Sequence, residues 1–158
     1  MNEIAADPAS FFSKTTFVPE LKASDKPGVL AALADAAAAA GVFPADRRDE
    51  VLHALTEREN TMSTGMQYGV AIPHARTDAV ACLATMVALA PAGVPFESLD
   101  GEPSTIFIAT LSPPEDANSH IRFLAAMTRE LSNRRVRETV LAAKTKDDLI
   151  AAFSAATA

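Results

Sequence analysis

The segment TIFIATL, residues 105–111, is an apolar run rich in β-branched and aromatic side chains. A second apolar run, LATMVAL, occupies residues 83–89. Neither run alternates regularly between apolar and polar residues, and such runs are typical of strands that are buried on both faces. Pro113 and Pro114 end the segment at 105–111. The two runs therefore predict central strands of a sheet.

Helical patterns flank these predicted strands. One candidate helix spans residues 24–41 with Ser24 as its N-cap, and a second covers residues 46–59. A third is expected to begin after Asp116 or Asn118. Its expected apolar stripe consists of Ile121, Leu124, Met127 and Leu131. Helices that alternate with short apolar strands predict an α/β fold, in which a largely buried β-sheet has helices on both faces.

The length and the charge of the chain limit what it can be. Its 158 residues predict one domain spanning 1–158, in which residues 1–14 are a loosely held lead-in. With 14 basic and 20 acidic residues, the net charge of −6 disfavours a nucleic-acid partner, because phosphate backbones attract basic surfaces. Only 6% of the residues are aromatic and none is tryptophan, so stacking platforms for single strands are not expected.

We expect no targeting segment at the start of this sequence. Its N-terminus carries Glu3 where a secretion signal would be basic, and no apolar segment follows. Residues 79–96 are uncharged, but Pro91 and Pro95 interrupt them, so we expect no insertion into a membrane. We expect a cytoplasmic location, with which a single cysteine is compatible. That cysteine, Cys82, lies in an apolar stretch and is expected to be buried and inert.

His74 is the first candidate for chemistry. It follows a short apolar run and Pro73, in a segment of small residues that is expected to be a loop at the end of a strand. In sheets covered on both faces, ligand sites collect in such loops. His74 is therefore either a solvated loop residue or a nucleophile, because a neutral imidazole offers a lone pair that can accept a phosphoryl group.

The other candidates also allow two interpretations. His120, near the start of the third helix, is either a polar first-turn residue or a donor to phosphoryl oxygens at a helix N-terminus. Arg58 either interacts with the dipole at the end of the second helix or holds phosphate oxygens bidentately. Arg76 is a second candidate for that role. His53 is expected to be structural or solvated.

Several familiar site motifs are missing from the sequence. It has no glycine-rich loop of the nucleotide-binding or dinucleotide-binding type, no zinc-peptidase motif and no nucleophile elbow. The spacing of the three histidines does not favour a metal site. We therefore expect neither a cofactor nor a metal.

The candidate residues occur in a longer pattern that resembles a known family. Residues 58–65 (RENTMSTG), followed by 69–76 (GVAIPHAR), resemble the active-site signature of the fructose/mannitol-type EIIA domains of the bacterial phosphoenolpyruvate:sugar phosphotransferase system, which include the nitrogen-regulatory EIIA proteins. The resemblance continues through residues 96–103 (FESLDGEP) and a histidine four residues before Leu124. It covers roughly residues 17–153 and implies a mixed sheet.

The resemblance also implies a mechanism. His74 would accept a phosphoryl group on Nε2 from the phosphohistidine of HPr, or of its nitrogen-branch relative, and would pass it to a cysteine of an EIIB domain. His120 would be the second histidine of the family and Arg58 its arginine. Ser63 and Thr64 match a pair in the signature, where their hydroxyls either hold phosphate oxygens or fix the turn. The alternative is a regulatory protein whose phosphorylation state controls its binding to other proteins.

The chain departs from the family pattern at a few positions. Met62 and residues 66–68 (MQY) replace smaller or more polar residues. These changes are expected to alter the rim of the site and the choice of partner, and they remove no reacting group. The sequence predicts neither a particular sugar nor an oligomeric state.

Overall fold

The computed structural model describes Phe12 and residues 14–156, so most of the predicted lead-in at 1–14 lies outside the described residues. In chain order the elements are β1 (Thr16–Val18), α1 (Lys26–Ala39), a 3-10 turn (Ala45–Arg47), α2 (Arg48–Thr61), β2 (Val70–Ala71), β3 (His74–Arg76), β4 (Ala84–Val94), β5 (Ser104–Ser112), α3 (Ala117–Leu131), α4 (Arg134–Leu141) and α5 (Lys146–Ala156). Helices and strands are thus mixed along the chain, as predicted.

The sheet is mixed and its strand order is β1-β4-β5-β2, with β3 also pairing with β5. The two apolar runs form the centre of this sheet as the antiparallel pair β4 and β5. The short strands β1, β2 and β3 each run parallel to the strand beside them. Strand β4 continues to Val94, beyond the predicted run, because Val94 pairs with Ser104 after a shift in register that follows Leu89.

Helices cover both faces of the sheet. Side chains alternate along a strand, so Met86 and Ala88 of β4 pack toward α1 and α2, while Val87 and Leu89 pack toward α3, α4 and α5. Because both faces of β4 and β5 are covered, the side chains that point to either face are mostly apolar. The predicted α/β architecture is confirmed. None of the described helices is long and apolar enough to cross a membrane.

Two helices differ in detail from the prediction. The N-cap of α1 is Asp25 rather than Ser24, because the Asp25 carboxylate accepts a hydrogen bond from the Gly28 N–H. On α3, the prediction that Ile121 faces the core is wrong, since its side chain is 60% exposed. The buried Phe123 defines the inward face of α3, and Ile121 lies two residues earlier, roughly 200° around the helix.

The prediction of a buried thiol at Cys82 is also wrong. Cys82 is exposed, because it lies in the connection before β4, which begins at Ala84. The connection is itself apolar in sequence and its Val80 is buried, so an apolar neighbourhood in the chain does not decide which of its side chains face solvent.

Candidate active site

Two imidazole rings meet at the β3 edge of the sheet. His74 is the first residue of β3, which corrects the expectation that it lies in a loop, and the register of β3 places it opposite Thr110 of β5. His120 lies in the first turn of α3. The centroids of the two rings are 4.6 Å apart and the ring planes are inclined by 46°. Both residues are partly exposed, so a group that approaches from solvent reaches both rings.

The hydrogen bonds of His74 determine which ring nitrogen carries the proton. Nδ1 lies 2.9 Å from the backbone oxygen of Ile72, which can only accept, so Nδ1 donates. Nε2 lies 3.1 Å from Nε of Arg58, which can only donate, so Nε2 presents its lone pair. The His74 ring is therefore held as a neutral imidazole whose Nε2 is the basic atom.

Both imidazoles are held in the neutral form. Burial is the main cause that lowers the pKa of His74, and the positive charges of Arg58 and Arg76 lower it further. Burial also lowers the pKa of His120, to about 4, together with His74, Arg76 and Arg58. Neutral rings beside two guanidinium groups favour the binding of an anion and leave a ring nitrogen free to act as a nucleophile.

The depressed pKa of His120 predicts a pH-dependent loss of stability. We expect the free energy of unfolding to fall as the pH decreases from 6.5 toward 4. In this range the His120 ring binds a proton in the unfolded chain but stays neutral in the folded protein. Urea unfolding over this pH range, for the wild type and for His120→Gln, measures the effect. The free energy of unfolding of the wild type should fall toward pH 4 by more than that of His120→Gln, which lacks the titrating ring. A folded His120 ring that titrates near 6.5 by NMR contradicts the prediction.

Arg58 approaches the site from the last turn of α2. Its Nη1 donates to the backbone oxygen of Met62 at 2.8 Å while its Nε contacts His74, so the guanidinium is held from two directions. Arg76, at the end of β3, is exposed and adds its positive charge to the surroundings of both histidines. His53 is exposed on α2, on the solvated side of the helix, in agreement with the prediction that it is structural or solvated.

Ser63 and Thr64 are engaged in the turn after α2. Thr64 is buried, and its hydroxyl donates to Oε1 of Glu59 at 2.6 Å. The Ser63 hydroxyl donates to the backbone oxygen of Phe96 at 2.8 Å and accepts from the Gly65 N–H. These contacts match the second of the two expected roles, fixing the turn. The hydrogen of the Thr64 hydroxyl is engaged by Glu59 in this arrangement, and phosphate binding by Ser63 and Thr64 stays a prediction.

An ion pair behind this turn was not predicted from the sequence. The Glu59 carboxylate, whose side chain is 2% exposed, accepts from Lys26 Nζ at 2.9 Å and from the Thr64 N–H at 2.7 Å. Lys26 Nζ also donates to Ser63 Oγ at 3.0 Å and lies 4.7 Å from the centre of the Phe96 ring. Lys26 is 33 residues from Glu59 in the chain, so nothing in the local sequence reveals this contact.

Together, the mixed α/β fold and the paired neutral histidines beside arginine define a class of domain that is suited to hold an anion at its surface. Residues 10–156 match the family described as the phosphoenolpyruvate-dependent sugar phosphotransferase system, EIIA 2. The chain belongs to this family. Proteins of this family are phosphotransferases that relay phosphoryl groups to EIIB.

A sequence relative agrees with this assignment, and solved structures share the fold. The fructose-specific EIIA component of Haloferax volcanii is 37% identical over 121 residues, which cover 77% of each chain. The nitrogen regulatory protein IIA-Ntr from Neisseria meningitidis has the same fold, with a TM-score of 0.77 at 22% identity over 87% of this chain and 92% of that one. Enzyme IIAMTL of Escherichia coli, solved in complex with phosphorylated enzyme IIBMTL, has a TM-score of 0.72 at 18% identity. The match covers 89% of this chain and 94% of that one.

Proposed function

We propose that the chain acts as one EIIA domain that carries a phosphoryl group on Nε2 of His74. The observation that supports this proposal is the pair of hydrogen bonds on the ring, with the backbone oxygen of Ile72 on Nδ1 and Arg58 on Nε2. They leave the lone pair of Nε2 as the reactive position without the help of a separate base. The donor is the phosphohistidine of HPr or of its nitrogen-branch relative.

The transfer needs no net movement of protons. The Nε2 lone pair of His74 attacks the phosphorus, an N–P bond forms there, and the N–P bond of the donor phosphohistidine breaks with its electron pair returning to the donor ring. Nδ1 of His74 keeps its proton and its bond to Ile72, which stabilises the positive charge of the phosphorylated ring. The reverse type of step passes the group to a cysteine thiolate of EIIB, so that an N–P bond breaks and an S–P bond forms.

Three neighbouring side chains bind the group during transfer. Arg58 releases the lone pair of Nε2 and turns its N–H groups toward the phosphoryl oxygens, which are close to its present position. His120 donates a ring N–H to another oxygen, and Arg76 supplies positive charge. Phosphoryl transfer depends mostly on positioning and on neutralisation of charge, and these residues provide both without a metal.

The basic test is incubation with phosphoenolpyruvate, enzyme I and HPr, followed by the intact mass of the chain. We expect one phosphoryl adduct that is labile in acid, as an N–P bond is. The adduct should disappear when a fructose-type EIIB domain is added in excess. If no adduct forms, the proposed carrier function is wrong.

His120→Ala is expected to slow the transfer without abolishing it. Loss of a preorganised donor typically costs about 2.7–4 kcal/mol, which corresponds to a rate roughly 100- to 1,000-fold lower. Quenched-flow phosphorylation by phospho-HPr measures this rate. Thr128→Ala, an exposed substitution farther along α3, serves as the control and should transfer at the wild-type rate. A His120→Ala rate equal to that of this control contradicts the assigned role.

The second candidate function is regulatory, and it is supported by a nitrogen regulatory relative that is 28% identical over 80% of this chain. In this case the phosphoryl group on His74 changes the binding of another protein and is not passed to EIIB. The fructose-specific relative supports the sugar relay, because its sequence identity to this chain, 37%, is higher. A phosphorylated chain that never transfers to an EIIB cysteine favours the regulatory function. For either function we place the protein in the cytoplasm, the location expected from its sequence.

A further inference from the structure

We propose that Thr110 is a positioning residue that fixes which ring nitrogen of His120 carries the proton. The inference rests on the proposed function, because it concerns the ring that faces the phosphoryl group. Thr110 is fully buried in β5, directly opposite His74 in the register of β3 and β5. Its Oγ1 lies 2.8 Å from Nδ1 of His120. The hydroxyl therefore connects the strand that positions His74 to the second imidazole.

The direction of this hydrogen bond follows from the surroundings of the hydroxyl. A neutral imidazole carries one N–H, and a threonine hydroxyl can donate or accept. Within the described part of the chain, Nδ1 of His120 is the only hydrogen-bond partner of Thr110 Oγ1. If Nδ1 carried the proton, the hydroxyl hydrogen would be buried without an acceptor, which is costly. The hydroxyl therefore donates to Nδ1, and the proton of His120 resides on Nε2.

The two histidines are consequently held in opposite tautomers. His74 carries its proton on Nδ1, bonded to the Ile72 backbone oxygen, and presents a lone pair at Nε2. His120 accepts at Nδ1 and carries its proton on Nε2. The first ring is prepared to attack phosphorus, and the second is prepared to donate to a phosphoryl oxygen. With the opposite tautomer, His120 would present a lone pair to that oxygen and would repel it.

Thr110→Val tests the inference because it removes the hydroxyl and keeps the β-branched shape. In 15N NMR spectra of the unphosphorylated protein, we expect the ring nitrogens of His120 to change from one tautomer to a mixture. The rate of phosphorylation of His74 by phospho-HPr should fall roughly three- to tenfold, the equivalent of one hydrogen bond, with KM unchanged. Thr110→Ser, which restores the hydroxyl, should recover both the tautomer and the rate.

Thr85→Val is the matched control. Thr85 lies opposite Thr110 on β4, and its hydroxyl bonds to that of Thr15 at 2.6 Å and not to an imidazole. This variant should keep the wild-type tautomer and the wild-type rate. A Thr110→Val protein with an unchanged His120 tautomer, or one that Thr110→Ser does not rescue, overturns the inference.

The failure of the proposed function gives a different result. A wild-type chain that accepts no phosphoryl group disproves the carrier function, while the NMR comparison of Thr110→Val with Thr110→Ser still decides the role of Thr110. Normal phosphorylation of the wild type together with an unchanged rate in Thr110→Val disproves the inference alone.

Discussion

His74→Ala is expected to abolish the phosphoryl adduct that phosphoenolpyruvate, enzyme I and HPr produce on the wild-type chain. Among the described residues around the site, no group can replace it as nucleophile. Both guanidinium groups of the site are permanently charged and lack a lone pair. The proton that His120 carries on Nε2 makes that ring a donor toward the same space. The expected effect is therefore a complete loss of the adduct, measured by intact mass.

His53→Ala provides the matched control for this experiment. His53 is exposed on α2 and is not part of the His74–His120 pair. It should take up the same single phosphoryl group as the wild type. Peptide mapping under alkaline conditions, where N–P bonds survive, should place the group on His74 in both the wild type and the control. A normal adduct on His74→Ala would refute the assignment of the nucleophile.

Glu59→Ala is expected to cause the largest loss of stability. It leaves the Lys26 ammonium, whose side chain is 14% exposed, without its close buried partner, and it removes the acceptor of both Thr64 donors. Breaking a buried ion pair by removing one partner costs about 3–5 kcal/mol. The free energy of unfolding from urea denaturation should fall by about this amount. Phosphorylation should slow as well, because the turn that holds Arg58 through the Met62 backbone oxygen loses its support.

Glu50→Ala is the control for this prediction. Glu50 lies on the same helix and pairs with Arg47 at the surface, where such pairs contribute about 0–1 kcal/mol. Because both variants replace glutamate by alanine in the same helix, their effects on helix propensity are similar. Equal losses of stability in Glu59→Ala and Glu50→Ala would show that burial adds nothing to the Glu59 pair. Adding Lys26→Met to Glu59→Ala should recover part of the stability, because it removes an ammonium group that keeps only the exposed Glu97, 3.6 Å away, as its ionic partner.

The central strands were predictable because their signal is local. The runs at 83–89 and 105–111 are continuous in the sequence, short and rich in β-branched residues, and a strand covered on both faces buries such a run completely. The errors at Cys82 and Ile121 have the opposite origin. Each residue is apolar and lies beside buried residues in the chain. The exposure of Cys82 depends on the path of the connection before β4, and that of Ile121 depends on the rotation of α3 about its axis.

The residues of the candidate site were named from the sequence, but their arrangement was not. Spacing alone left His74 and His120 open to ordinary structural interpretations, and the resemblance of the long motif to a family favoured the chemical one. No pattern in the sequence predicted that Lys26 pairs with Glu59, or that Thr110 contacts His120. These pairs depend on the packing of α1 against α2 and of α3 against β5.

By itself, the sequence determined the buried strands, the helices on both faces and the types of residue that can carry a phosphoryl group, because periodicity and chemical type are properties of neighbouring residues. Only the tertiary structure decided that two imidazoles 46 positions apart come within 4.6 Å of each other. It also decided which nitrogen of each ring carries a proton. The physical reason is that a tautomer is selected by the partner on the ring's other nitrogen, and the register of the sheet and the docking of α3 bring those partners into place.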